Sequence, residues 1–263
     1  MSRLIRGLPK LLEARHRRFL RFYLMMYLGK MLVPGYRFKL PEMDWWHDDA
    51  FNAYLIRFGE QGWLNTERRW FLHQLLRQTH AIPGDTAECG VFRGASSYLI
   101  CAANERSTLP RTHHVFDSFE GLSEPDVVDG LHWRSGDLAV SVEAVREALH
   151  DFPTVEYYKG WIPDRFSEVS DRSFSFVHID VDLAQPTRES LSFFYPRMTE
   201  GGIILCDDYG GISCAGATAA VDAYLADKPE KMMSSISCGG YLVKGCETGA
   251  GLLPGTQSNT PGA

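Results

Sequence analysis

Two apolar runs in the chain, Phe174–Ile179 and Ile203–Cys206, each end in a pair of acids: Asp180 and Asp182 after the first, Asp207 and Asp208 after the second. Four carboxylates brought together repel one another unless they are protonated, hydrated or neutralised by a cation. A donor set made of oxygens suits a hard divalent ion such as Mg²⁺. One acid at a strand end merely faces water, whereas four at paired strand ends predict a metal site. His178 lies two residues before Asp180, and strand alternation would put residues 178, 180 and 182 on one face. All three are therefore eligible to take a proton from a reacting hydroxyl.

The elements that must position these groups follow from the intervening sequence. Thr187–Tyr195 reads as a helix, with Thr187 as its N-cap and Leu191, Phe194 and Tyr195 on one face. Gly201–Gly202 then turns the chain back. This is a β–α–β unit, so its two strands run parallel and their C-terminal ends share one edge of the sheet. Open α/β sheets bind ligands at that edge.

The same logic organises the preceding hundred residues. Asn65–Thr79 reads as a helix broken at Pro83–Gly84, and Thr86–Cys89 is a first strand ending in the turn Glu88-Cys89-Gly90-Val91-Phe92-Arg93-Gly94. A helix follows over residues 95–105, then a strand, His113–Phe116, that ends in Asp117. Strand, glycine-bearing turn, helix, strand and acid make the nucleoside-binding half of a doubly wound sheet, with the acid placed for the ribose hydroxyls. The turn is not G-x-G-x-x-G, which argues against a pyrophosphate cradle. Gly121–Gly136 is a polar loop over the site. Val140–Leu149 reads as a helix, Val155–Lys159 as a third strand, Ala217–Leu225 as a helix, and Met232–Ser237 with Tyr241–Lys244 as a closing hairpin. The fold expected is α/β, a doubly wound, mostly parallel seven-stranded sheet with an N-terminal helical extension. Its parts are an extension and lid over 1–62, a core domain over 63–247 and a disordered tail over 248–263.

The net charge of −6 over 263 residues conceals an asymmetry. The first 40 residues hold ten Lys/Arg and one acid, Glu13, while the remainder holds seventeen Lys/Arg and thirty-two acids. An acidic body argues against nucleic acid as a partner, because phosphate contacts need a basic surface. Phe19–Val33 is apolar but interrupted by Arg21 and Lys30, too short and too charged to span a bilayer. Two readings stand for residues 1–40: a helix packed on the body or on a second subunit, consistent with a homo-oligomer, or an interfacial helix. In the second, Arg15, Arg17, Arg18 and Arg21 meet anionic lipid. The six cysteines form no C-x-x-C pair and several lie in apolar runs. They read as core thiols in a reducing cytoplasm.

Taken together, the motifs Ala87–Gly94, Phe116-Asp117-Ser118-Phe119-Glu120-Gly121-Leu122, Lys159-Gly160-Trp161, His178-Ile179-Asp180-Val181-Asp182-Leu183 with Pro186-Thr187, and Asp207-Asp208-Tyr209-Gly210 make a recognisable series. In order and spacing it resembles the macrocin O-methyltransferase family over about residues 60–245. The resemblance implies a class I fold, S-adenosylmethionine and Mg²⁺ as cofactors, and methylation of a hydroxyl on a sugar, glycoside or glycan. It implies Asp180, Asp207 and Asp208 as metal ligands and Asp182 as general base; the residues themselves leave His178 as the competing base or as a structural imidazole bonded beneath the site. Cofactor contacts fall on Glu88, Gly90, Val91, Arg93, Asp117, Ser118, Phe119 and Asp180. Ala184 and Gln185 depart from the family pattern, which has a Tyr and an acid there, on the substrate side. Two rivals remain: a nicotinamide-dependent oxidoreductase, which lacks its pyrophosphate loop here, and a membrane-peripheral scaffold, which would have no need of four acids.

Overall fold

A computed structural model describes residues 24, 25, 27–29, 31, 32, 45, 48–62, 65–235 and 239–249. The chain divides into two compact units, one up to Arg57 and one from Phe58 onward. In the first, the described residues between 24 and 32 are helical, and Leu24, Met25, Tyr27, Leu28, Met31 and Leu32 are exposed. None of the described helices is long and apolar enough to cross a membrane. The arginines proposed for lipid contact, and the expected tail from Ala250 onward, lie outside the described residues. Helix α1 (Asp49–Phe58) buries Phe51, Tyr54 and Leu55, an i, i+3, i+4 stripe.

The second unit is built on seven strands: β1 (Asp85–Cys89), β2 (His113–Asp117), β3 (Val155–Lys159), β4 (Phe174–Ile179), β5 (Met198–Cys206), β6 (Met233–Ser234) and β7 (Gly240–Val243). Their order in the sheet is β3-β2-β1-β4-β5-β7-β6. The first five pair in parallel, and β7 pairs antiparallel with β5 and with β6. The chain runs outward from β1 to β3 and then returns to place β4 on the other side of β1. The crevice at the C-terminal ends of β1 and β4 is therefore the switch point at which such sheets bind ligands.

Helices cover both faces: α2 (Asn65–Gln78), α3 (Ala95–Glu105), α4 (Val142–Ala148), α5 (Ala184–Phe194) and α6 (Ala215–Leu225). Neighbouring residues of β2 show the two-sided burial. Phe116 belongs to the cluster formed with Ile179, Leu191, Phe194, Ile204 and Val221, whereas Val115 packs with Cys101, Val145 and Leu149. Strands buried on both sides explain why β4 reads as an unbroken apolar run.

Two local readings are corrected. Helix α5 starts at Ala184, three residues earlier than expected, and Thr187 is not its cap: the Thr187 hydroxyl donates to the Leu183 carbonyl at 2.7 Å. Gly201–Gly202 lies within β5, which begins at Met198. Gly201 takes a φ of 81° while its N–H donates to the Lys244 carbonyl, so the pair bends a continuous strand.

Candidate active site

The turn after β1 and the segment after β4 meet at the switch point. Gly90 has a φ of 80°, and a Cβ there would lie 1.9 Å from the Asp180 carbonyl oxygen. Only glycine lets the two turns close on each other. Above them opens a cavity of about 950 Å³, enough for a cofactor-sized ligand and an acceptor. Gly90, Val91, Arg93, Asp117, Ser118, Asp180, Asp182 and Asp208 line it.

Asp117 ties the cofactor half together. One carboxylate oxygen accepts the Val91 N–H at 2.8 Å and the other accepts the Phe119 N–H at 2.6 Å. Burial pushes its pKa up, and these two hydrogen bonds oppose that. Phe119 itself, at a φ of 55°, is outside the cavity lining and serves through its backbone. Arg93 is exposed, its guanidinium 4.9 Å from the Phe92 ring.

Glu88 and His178 are placed differently from a pair of ligand contacts. The β1–β4 register sets them side by side, both fully buried and away from the cavity lining. Glu88 accepts from Ser97 and lies 2.8 Å from His178 Nδ1. Burial alone would raise the Glu88 pKa, but His113 and His178 hold it down at about 2. Burial would likewise lower that of His178, yet Asp207 and Glu88 carry it up to about 10. His178 is thus held behind the acids, with Nε2 3.8 Å from Asp207.

The four aspartates gather at the rim in two sets. Oxygens of Asp180 and Asp207 lie within 4.8 Å of one another and of His178, and oxygens of Asp182 and Asp208 within that distance of each other and of the Cys214 sulfur. Strand β4 stops at Ile179, and Asp182 adopts a φ of 60°, so the alternation expected over 178, 180 and 182 does not hold. One oxygen of Asp208 accepts the N–H groups of Val181 (3.1 Å) and Asp182 (2.7 Å), which fixes this turn.

Burial, reinforced by the neighbouring Asp207 charge, pushes Asp180 up to about 7. Burial raises Asp182 to about 6 against the hydrogen bond from Cys214 and the charge of Arg68. Asp208 is raised by burial and by three neighbouring aspartates. Asp207 alone goes down: burial pushes it up, but Arg68, His178 and Arg69 together outweigh that. Four carboxylates this close would repel one another if all were ionised, and their oxygen donors suit a hard divalent ion.

Arg68 and Arg69 come from α2 and were not anticipated from the sequence, where that helix showed only its apolar face. Arg68 pairs with the Asp207 carboxylate and donates to the Asp207 carbonyl at 3.0 Å. The signal was present: two arginines early in a helix oppose the helix dipole. His132, Trp133 and Trp161 were also missed as lining residues.

The profile of the family described as macrocin-O-methyltransferase (TylF) matches residues 67–237. The chain belongs to the macrocin O-methyltransferase family. Among its relatives, it is 33% identical to demethyldecarbamoylnovobiocin O-methyltransferase of Streptomyces niveus over 55% of this chain and 59% of the relative. It is 32% identical to 8-demethyl-8-(2,3-dimethoxy-alpha-L-rhamnosyl)-tetracenomycin-C 4'-O-methyltransferase of Streptomyces olivaceus over 52% and 57%. The chain thus spans less than two thirds of the length of these curated relatives. Among solved structures, the O-methyltransferase NovP aligns with a TM-score of 0.59 at 28% identity, over 68% of this chain and 80% of that one. The expected family and class I fold both hold.

Proposed function

We propose that this macrocin O-methyltransferase family member transfers a methyl group from S-adenosylmethionine to a hydroxyl of a sugar or glycosylated small molecule, with Mg²⁺ as cofactor. The observation that carries the reading is one cavity joining the Asp117 turn of the cofactor half to the four aspartates after β4 and β5. Both relatives are named as O-methyltransferases, and the name of the second includes a rhamnosyl group.

In this reading Asp117 takes the ribose hydroxyls, while the turn from Gly90 to Arg93, with Ser118, encloses the nucleoside. Asp180, Asp207 and Asp208 would hold the metal. When bound, the cation lowers the pKa of an acceptor hydroxyl and the sulfonium supplies an electrophilic methyl group. Asp182 accepts the hydroxyl proton as the oxygen takes the methyl, leaving the sulfur neutral. Its elevated pKa brings its proton affinity closer to what a general base near neutrality needs. Glu88 and His178 position: they hold Asp207 from behind. Trp161, Phe92 and Leu138, 40–41% exposed at the cavity, suit the faces of a sugar ring or an apolar aglycone.

A methyl-transfer screen over glycosides with labelled cofactor, with Mg²⁺ or EDTA, tests the reading. Calorimetry should show S-adenosylhomocysteine binding and no NAD binding; the reverse would favour an oxidoreductase. Asp117→Asn should weaken S-adenosylhomocysteine by about 1.5–3 kcal/mol, the scale of charge-assisted hydrogen bonds, and leave Mg²⁺ affinity nearly unchanged. Unaltered cofactor affinity would remove Asp117 from the ribose.

A further inference from the structure

The Arg68 guanidinium sits against two of the carboxylates proposed to hold the divalent cation. Its Nη2 pairs with Asp207 Oδ2 and is 3.9 Å from Asp180 Oδ1, so one cationic group touches both members of the proposed ligand pair. A Mg²⁺ ion binds carboxylate oxygens at about 2.0–2.1 Å. An ion shared by these two aspartates would therefore lie within a few ångströms of the guanidinium, and like charges at that range repel strongly in a site this buried.

Arg69 donates from Nε to Glu60 at 3.2 Å and stands 3.6 Å from Asp207, anchored by a carboxylate outside the aspartate cluster. Arg68 pairs with the cluster aspartates, and its side chain lines the open cavity with 20% of its surface exposed. It has both a reason to leave when a stronger cation arrives and space to leave into.

We propose that Arg68 is a built-in counter-ion that exchanges with the divalent cation. It neutralises Asp207 in the metal-free protein and is expelled from the aspartates as the metal enters. This rests on the metal-dependent reading above and adds a regulatory element to it. Metal affinity is set low by an internal competitor, so the metal-free fold is protected from its own acids and the ion is released readily.

The test is calorimetric titration of Mn²⁺ and Mg²⁺ into the full chain, with thermal melts of the metal-free and metal-saturated protein. Arg68→Met should tighten Mn²⁺ at least tenfold and lower the melting temperature of the metal-free protein. At saturating Mn²⁺ its melting temperature should return close to the wild-type value. Arg68→Lys, which keeps the charge, should bind Mn²⁺ within about threefold of wild type. If Arg68 instead braces Asp207 for the metal, Arg68→Met will bind Mn²⁺ equally or more weakly, and the exchange is wrong. Should Arg68→Met not fold, arginine Nε–H NMR of the wild type decides: the Arg68 resonance must shift in step with Mg²⁺ occupancy, and a static signal overturns the proposal. Should neither ion bind either protein, the metal reading itself fails and the exchange falls with it. Tight but unchanged binding would spare the metal reading and remove only the exchange.

Discussion

Asp182→Asn is expected to lower turnover by roughly 10²–10⁴, the span usual for loss of a general base, while preserving the fold and the affinity for Mg²⁺. The substitution keeps the side chain's shape in a turn already fixed by the Asp208 carboxylate. In the wild type, activity should rise with pH through about 6 as Asp182 loses its proton. The variant should lack that limb. His178 is not available as a substitute, since it is fully buried between Glu88 and Asp207 and does not reach the cavity. Rescue of Asp182→Asn by high Mg²⁺ would make Asp182 a ligand instead, and normal turnover would hand the proton to water.

The second large effect is expected at Asp207. Its carboxylate is buried, with Arg68 paired to it and His178 3.8 Å away. Asp207→Asn leaves both cations facing a neutral amide, and breaking a buried pair costs about 3–5 kcal/mol. The Arg68 side chain is one-fifth exposed, so the lower end of that range is expected. The pH dependence has a definite sign. Against its burial, Arg68, His178 and Arg69 together hold Asp207 below its ordinary value of 3.8, so its contribution is fully present above about pH 4 and fades as acid protonates it. Urea melts in EDTA should show the gap between wild type and variant at pH 7, narrowing below pH 4. Asp180→Asn provides the contrast. That carboxyl is a quarter exposed and held up at about 7 by burial and by Asp207, so its removal should cost metal affinity and little stability. Equal destabilisation by the two substitutions would show that Arg68 does not prefer Asp207.

How much of this was legible beforehand depends on how local its cause is. The apolar run of β4, the turn at Gly90 and the acids after each strand are local patterns, and the parallel β–α–β rule alone carries those acids to one edge. Fold and site location followed from such features, and the family resemblance supplied the roles. The pairing of Glu88 with His178 was not legible, because it depends on the register between strands 90 residues apart. Nor was the left-handed Asp182, whose conformation depends on a carboxylate 26 residues further on. Arg68 escaped for the same reason: its partner lies 139 residues away.

That separation also governs how the protein is made. Strands β1, β2 and β3 can pair among themselves as soon as they leave the ribosome, but the far edge of β1 waits for β4. At about 5–20 residues per second, the delay between Glu88 and His178 is roughly 5–20 s. Throughout it, β1 offers an open edge to any extended neighbour. Glu88 lies near the end of that strand, where Ser97 and His113 from the half that forms first already flank its carboxylate. His178 adds the last partner when β4 arrives, so the support behind Asp207 is complete only once that strand has docked.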